Sequence, residues 1–150
     1  MIDVTPFIPH RPPLQLIEKL CKQSPEQVTT STRIHEAAGF YDSATGLVPA
    51  WVGLEYMAQT AAVWIGLRDQ AAGRKPEPAF LVSSRQYQAH EPGFPLGLLL
   101  YTEVTVKLTD TNIVSFAGKI YDDSGKIWAN ALFTAFRPDD VAAYLEGESL

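Results

Sequence analysis

The sequence predicts an α+β protein in which a curled antiparallel sheet wraps around one long buried helix. Three observations predict it. The longest apolar run, Val48 to Leu67 (VPAWVGLEYMAQTAAVWIGL), is uninterrupted by proline from residue 50 to residue 75. Four extended segments rich in Val, Ile, Thr, Phe and Tyr follow it, and two more precede it. The later segments are separated by turn-forming breaks (HEPGFPLG, TDTN, DDSG), so the last three should pair as an antiparallel meander.

Taken in order, residues 6–13 (PFIPHRPP) are too proline-rich for more than a short turn. The next stretch, Leu14 to Leu20, reads as strand or helix, with a strand start preferred. Gln27 to Ile34 is dense in β-branched residues and reads as a strand. Residues 35–48 form a loop broken by Gly39 and Gly46 that feeds directly into the helix. Pro49 suits the first helical turn, where its missing N–H has no partner to lose. At ~100° per residue, Trp51, Leu54, Ala58, Ala61, Ala62 and Ile65 fall on one side, while Val52, Met57, Val63 and Trp64 cover much of the other. Such a helix must be buried on most sides, and Trp51, Met57 and Trp64 read as core. The helix fades near Gly73. Strands are expected at Phe80 to Gln88, Leu98 to Leu108, Ile113 to Tyr121 and Ile127 to Phe136. Pro138 ends the sheet, and Asp139 or Asp140 can cap a short helix from Val141 to Glu146. Unpaired sheet edges need a cover, so a dimer is expected.

The 150 residues suit one domain spanning 1–150. A formal net charge of -5 argues against a nucleic-acid partner or an anionic membrane surface. The helical run is long enough to span a bilayer, but Glu55, Gln59, Thr60 and its many Ala and Gly residues argue against that. The N-terminus lacks the basic and apolar regions of a signal peptide. A single cysteine, Cys21, excludes an intrachain disulfide framework and fits a reducing, cytoplasmic compartment. None of the 3 histidines has a second His or Cys at metal-ligand spacing, so no metal is expected. His10 reads as pinning the N-terminal turn to the sheet, and His90 as an exposed turn residue.

The anomaly in this chain is Glu55, a carboxylate close to the most apolar side of a buried helix. A charge in that setting is costly unless it is paired, protonated or used. The loop before it leads to a helix N-terminus, where free N–H groups and the positive dipole end converge. Gln59, one turn on, can orient Glu55 or cap the core.

PHRPPLQLIE (residues 9–18) and VPAWVGLEYMAQTAA (residues 48–62) resemble the hotdog-fold 3-hydroxyacyl-acyl-carrier-protein dehydratases of type II fatty acid synthesis. That family runs P-H-R-Y-P-F-L-L-V-D, then G-H-F-P, then M-P-G-V-L-I-I-E-A-M-A-Q. His10, Arg11 and Pro13 match the first motif. Pro49, Glu55, Met57, Ala58 and Gln59 match the last with its spacing kept, and HEPGFPLG is similar to the family's R-x-P-V-x-P-G-D turn. The resemblance implies a dimeric hotdog fold and no resident cofactor, the substrate riding on the phosphopantetheine of an acyl carrier protein. The departure is at the family's catalytic histidine, fourteen residues before the glutamate, where this chain has Tyr41. The combination PAWVG-EYMAQ is more similar to a divergent branch associated with aryl polyene synthesis, which implies work beside a second, different hotdog protein.

Dehydration of a 3-hydroxyacyl thioester needs a base for the α-proton, an acid for the leaving oxygen and fixed dipoles for the enolate-like thioester oxygen. The resemblance assigns Glu55 as the acid. Backbone N–H groups around Ala50 and Trp51 supply the dipoles, Tyr41, Pro49 and Gln59 join them as substrate-binding residues, and Trp51 is placed to line an acyl tunnel. Tyr41 fills the lost imidazole's space, since a phenol with a pKa near ~10 is a poor base at neutral pH. The base then comes from His35, in the same loop, or from a His-bearing partner subunit of a heterodimer, the second being preferred. Two alternatives remain: a non-catalytic partner subunit of a hotdog dehydratase, and a hotdog acyl-thioesterase in which the carboxylate activates water.

Overall fold

The computed structural model describes residues 1–75, 78–139 and 146–147, with Arg85 described by its backbone. In chain order the elements are β1 (Ile2–Asp3), a 3-10 turn (Thr5–Phe7), β2 (Lys19–Ser24), β3 (Gln27–Arg33), β4 (Leu47–Pro49), α1 (Val52–Ala71), β5 (Phe80–Ala89), β6 (Gly93–Pro95), β7 (Leu99–Asp110), β8 (Ile113–Tyr121) and β9 (Ile127–Phe136). Seven strands form one antiparallel sheet in the order β1-β2-β3-β7-β8-β9-β5, and β4 pairs with β6 in a separate two-stranded ribbon. The expected meander is β7-β8-β9, with Phe116 opposite Phe133 across its second pair. The expected short helix at 141–146 falls on residues 141–145, outside the described residues, and on Glu146, which lies in a turn.

The helix lies on the concave face of this sheet and carries the core. Tyr56, Met57, Val63 and Trp64 are buried from one turn to the next. Met57 fits because β8 offers Gly118 beneath it; a Cβ there would meet the Met57 sulfur at 2.8 Å. The Trp64 ring packs edge-on against Phe116 at 5.8 Å, and its indole N–H donates to the Pro25 carbonyl at 3.0 Å. Thr60 spends its hydroxyl on the Tyr56 carbonyl and on Thr30 of β3, both at 2.8 Å, so a polar atom inside the core is satisfied.

Two expectations are corrected here. Pro49 does not open the helix: Leu47–Pro49 runs extended against Gly93–Pro95, and the helix starts three residues later, at Val52. Pairing with a distant segment overrides the local preference of proline for a first turn. Leu14 to Leu20 is mostly irregular, and the strand starts only at Lys19, because side-chain bonds from the helix hold Leu14 and Leu16. At its far end the helix stops as expected, with Gly73 in the left-handed region (φ 74).

Candidate active site

The first turn of α1 is fixed by three neighbours. Ala50 donates its N–H to the Pro92 carbonyl at 3.0 Å, and the Tyr87 hydroxyl donates to the Ala50 carbonyl. Tyr87 reaches inward because β5 carries a bulge between Arg85 and Gln88, with Gln86 in the left-handed region (φ 57). Burial pushes the Tyr87 phenol up to about 12, so it stays a donor. Gly53 is needed there, since any Cβ would collide with the Tyr87 oxygen. The N–H groups of Gly53 and Leu54 close on the carbonyls of Ala50 and Trp51. No side chain caps the helix, and the N–H groups of Trp51 and Val52 carry no hydrogen bond among the described residues. An electronegative oxygen is favoured beside such a terminus. The expected role of Ala50 as an N–H donor is therefore withdrawn; Pro92 already occupies it.

Glu55 stands one turn further in and is half-buried rather than enclosed. Gln59 holds it: its amide nitrogen donates to a Glu55 carboxylate oxygen at 3.2 Å and to the Leu14 carbonyl at 2.8 Å. The Gln59 oxygen accepts the Leu16 N–H at 2.8 Å. Gln59 thus bonds the carboxylate and also ties the helix to the N-terminal segment.

Glu55 opens into a cavity of about 100 Å³ between the helix and the β5–β9 side of the sheet. Ala58 and Ala62 continue its helical wall, Leu81 and Phe133 line the sheet side, and His10 closes it from the N-terminal turn. The alanines leave the space that larger residues would fill. His10 is half-buried, and its Nδ1 is buried without a hydrogen-bond partner among the described residues. Burial lowers the His10 pKa from its ordinary value, the Glu55 charge pulls it back up, and Arg11 pushes it down. The imidazole is thus neutral at neutral pH.

The other predicted residues lie elsewhere. His35 is exposed in its loop, and its Nδ1 accepts the Ala37 N–H at 3.2 Å; it does not line the Glu55 cavity. Tyr41 is half-buried, packs against the core and donates its N–H to the Ala38 carbonyl. Trp51 is 60% exposed, not core, and meets Phe40 edge-on at 5.1 Å. Both rings sit at the mouth of the helix start. Tyr87 was missed as a site residue, since a strand pattern cannot reveal which face a bulge will turn inward.

A larger cavity, about 420 Å³, lies at the other end of α1 among Arg68, Asp69, Arg74 and Arg137. It shares Ile65 and Ala135 with the Glu55 cavity, while Asp69 itself lies roughly 20 Å along the helix from Glu55 at ~1.5 Å of rise per residue. Asp69 is 1% exposed there and is gripped by both Arg137 and Arg74. No group of His, Cys, Asp and Glu suited to a metal ion occurs among the described residues, and no described helix is long and apolar enough to cross a membrane.

A sheet packed around one long helix, with a carboxylate near the helix start, defines a hotdog-fold protein. The model of the ApeP-like family, described as ApeP dehydratase, matches residues 2–146, and the chain belongs to that family. No curated protein matches the sequence. Among solved structures, the dehydratase heterocomplex ApeI:P from Xenorhabdus doucetiae superposes with a TM-score of 0.89 at 21% identity, covering 97% of each chain. The PaaI protein of E. coli, from the phenylacetic acid degradation operon, gives 0.62 at 11% identity, over 79% of this chain and 82% of that one. A hypothetical thioesterase from Streptococcus pneumoniae, solved with coenzyme A, gives 0.61 at 14% identity, over 79% and 86%. At these identities the likenesses establish the fold.

Proposed function

We propose that this chain is a subunit of a 3-hydroxyacyl thioester dehydratase whose substrate is carried on the phosphopantetheine of an acyl carrier protein, in fatty acid or aryl polyene synthesis. The observation that carries the reading is Glu55, half-exposed in an apolar cavity, held by Gln59, one turn from an uncapped helix start. In this role Glu55 protonates the departing hydroxyl. The N–H groups of Trp51 and Val52 take the thioester oxygen, and Pro49 and Tyr41 shape the approach. Water is kept from the reacting carbons by Ala58, Ala62 and Phe133.

The active unit is a dimer. The edge strand β5 exposes Leu81 (41%) and Val82 (52%), apolar surface that a second hotdog subunit would cover. That the ApeI:P structure is a heterocomplex supports a different hotdog protein as that subunit, with a second copy of this chain as the homodimeric form. Two sources of the base fit such a dimer: a histidine of the second subunit, and His10 of this chain.

The test is conversion of a 3-hydroxyacyl thioester on holo acyl carrier protein to the enoyl thioester, followed by mass. Dehydration by the wild type, alone or with the second subunit, lost in Glu55→Gln, is the expected result. Dehydration by the pair that survives Glu55→Gln would make this chain a passive subunit, and thioester hydrolysis without dehydration would make it a thioesterase.

A further inference from the structure

The site as described holds an acid but no assigned base, while a neutral imidazole lies in the same cavity. We propose that His10 is the proton acceptor of the dehydration, paired with Glu55 within one subunit; the proposal rests on the dehydratase reading of the cavity. His10 and Glu55 line one apolar cavity, and the other described residues that line it are aliphatic or aromatic. Nδ1 of His10 is buried without a hydrogen-bond partner among the described residues, although buried ring nitrogens are ordinarily hydrogen-bonded.

The turn carrying His10 is built to hold it still. Before it, the 3-10 turn presses the Phe7 carbonyl against Gly66 so closely that no Cβ would fit. After it, Gln59 pins Leu14 and Leu16. Between the two anchors, the Arg11 guanidinium donates to the Ile8 carbonyl at 2.7 Å and to the His10 carbonyl at 2.6 Å. A base that must meet a weakly acidic C–H gains from such fixed placement. Glu55 and His10 are oriented by the same side chain, Gln59, directly and through the segment it pins.

The step balances within the site. His10 takes the α-proton, and the C–H electron pair becomes the Cα=Cβ double bond. The Cβ–O bond breaks, and the oxygen leaves as water with the proton of Glu55. The imidazolium then returns its proton to the Glu55 carboxylate through that water. The products are an enoyl thioester and water, and both side chains regain their starting state. The chain would then need no histidine at the position of Tyr41, nor one from its partner.

The experiment measures dehydration of a 3-hydroxyacyl N-acetylcysteamine thioester by the full chain, alone and with its second hotdog subunit. Wild type is compared with His10→Asn, His10→Ala and Glu55→Gln, each checked for an unchanged near-UV spectrum. The expected result is a loss of about 100-fold or more in kcat for both His10 variants. Added imidazole should restore part of the His10→Ala rate, which a merely structural role would not allow. A His10→Asn rate within about 3-fold of wild type, with Glu55→Gln inactive, overturns the proposal and leaves the dehydratase reading intact. So does dehydration that depends on a histidine of the second subunit. Absence of dehydration under every condition removes the dehydratase reading, and the proposal with it.

Discussion

Replacing Gln59 by leucine should destabilise the protein by about 2–3 kcal/mol. Leucine has nearly the volume of glutamine, so packing around residue 59 is kept and the loss is polar. The Leu16 N–H belongs to a residue only 7% exposed and would be left in the interior without an acceptor. An orphaned buried donor costs ~1–3 kcal/mol. The Leu14 carbonyl costs less, since Leu14 is 69% exposed and water can replace the amide. Release of Glu55 contributes at most ~1 kcal/mol, because that group is half-exposed. Equilibrium urea unfolding gives the difference, with an unchanged m-value, and the melting point should fall by about 5–10 °C. Hydrogen exchange at the Leu16 amide should quicken as well. A stability change below about 0.5 kcal/mol would refute the view that Gln59 is the pin between the helix and the N-terminal segment.

Gly66→Ala should destabilise although alanine ordinarily favours a helix interior by ~1 kcal/mol over glycine, because the Phe7 carbonyl blocks the new methyl group; a raised melting point would refute this. Asp69→Ala removes a carboxylate only 1% exposed, with its ion pairs to Arg137 and Arg74, and should cost about 1–3 kcal/mol in urea unfolding. Asp122 accepts from the Ser124 hydroxyl at 2.6 Å first of all, and from the Trp128 indole at 2.9 Å, which holds its pKa at about 2, below the ordinary 3.8. Its folded value is the lower one, so its stabilisation is present above pH ~4 and fades as pH falls towards 2. Urea midpoints of wild type and Asp122→Asn should therefore differ at neutral pH and converge in strong acid; a gap independent of pH would contradict the assignment.

Much of the fold is legible in the residues. Ile113–Tyr121 and Ile127–Phe136 are bounded by turn signals and rich in β-branched or aromatic residues, and the structure places both strands where the pattern puts them. The ribbon of Leu47–Pro49 with Gly93–Pro95 is not legible, because three residues carry no periodicity and their pairing joins segments more than forty residues apart. That hidden pairing displaced the helix start and spent the Ala50 N–H. Glu55 stands out as a lone carboxylate in an apolar run. Its surroundings do not: the nearness of His10 depends on Gln59 binding Leu14 and Leu16, and that of Tyr87 on a bulge at Gln86. Trp51 misled because an aromatic in an apolar run reads as core, whereas the helix presents it at a mouth.

The claim at the centre of this account is that the Glu55 cavity exchanges water with the third carbon of an acyl thioester. The reverse reaction tests it most directly: an enoyl thioester is incubated in 18O-water with the wild type and with Glu55→Gln, each alone and with the second hotdog subunit. The account predicts heavy oxygen at the 3-hydroxyl of the thioester product with the wild type and none with the variant. Heavy oxygen found instead in a released carboxylic acid, or equal labelling by the variant, would contradict it.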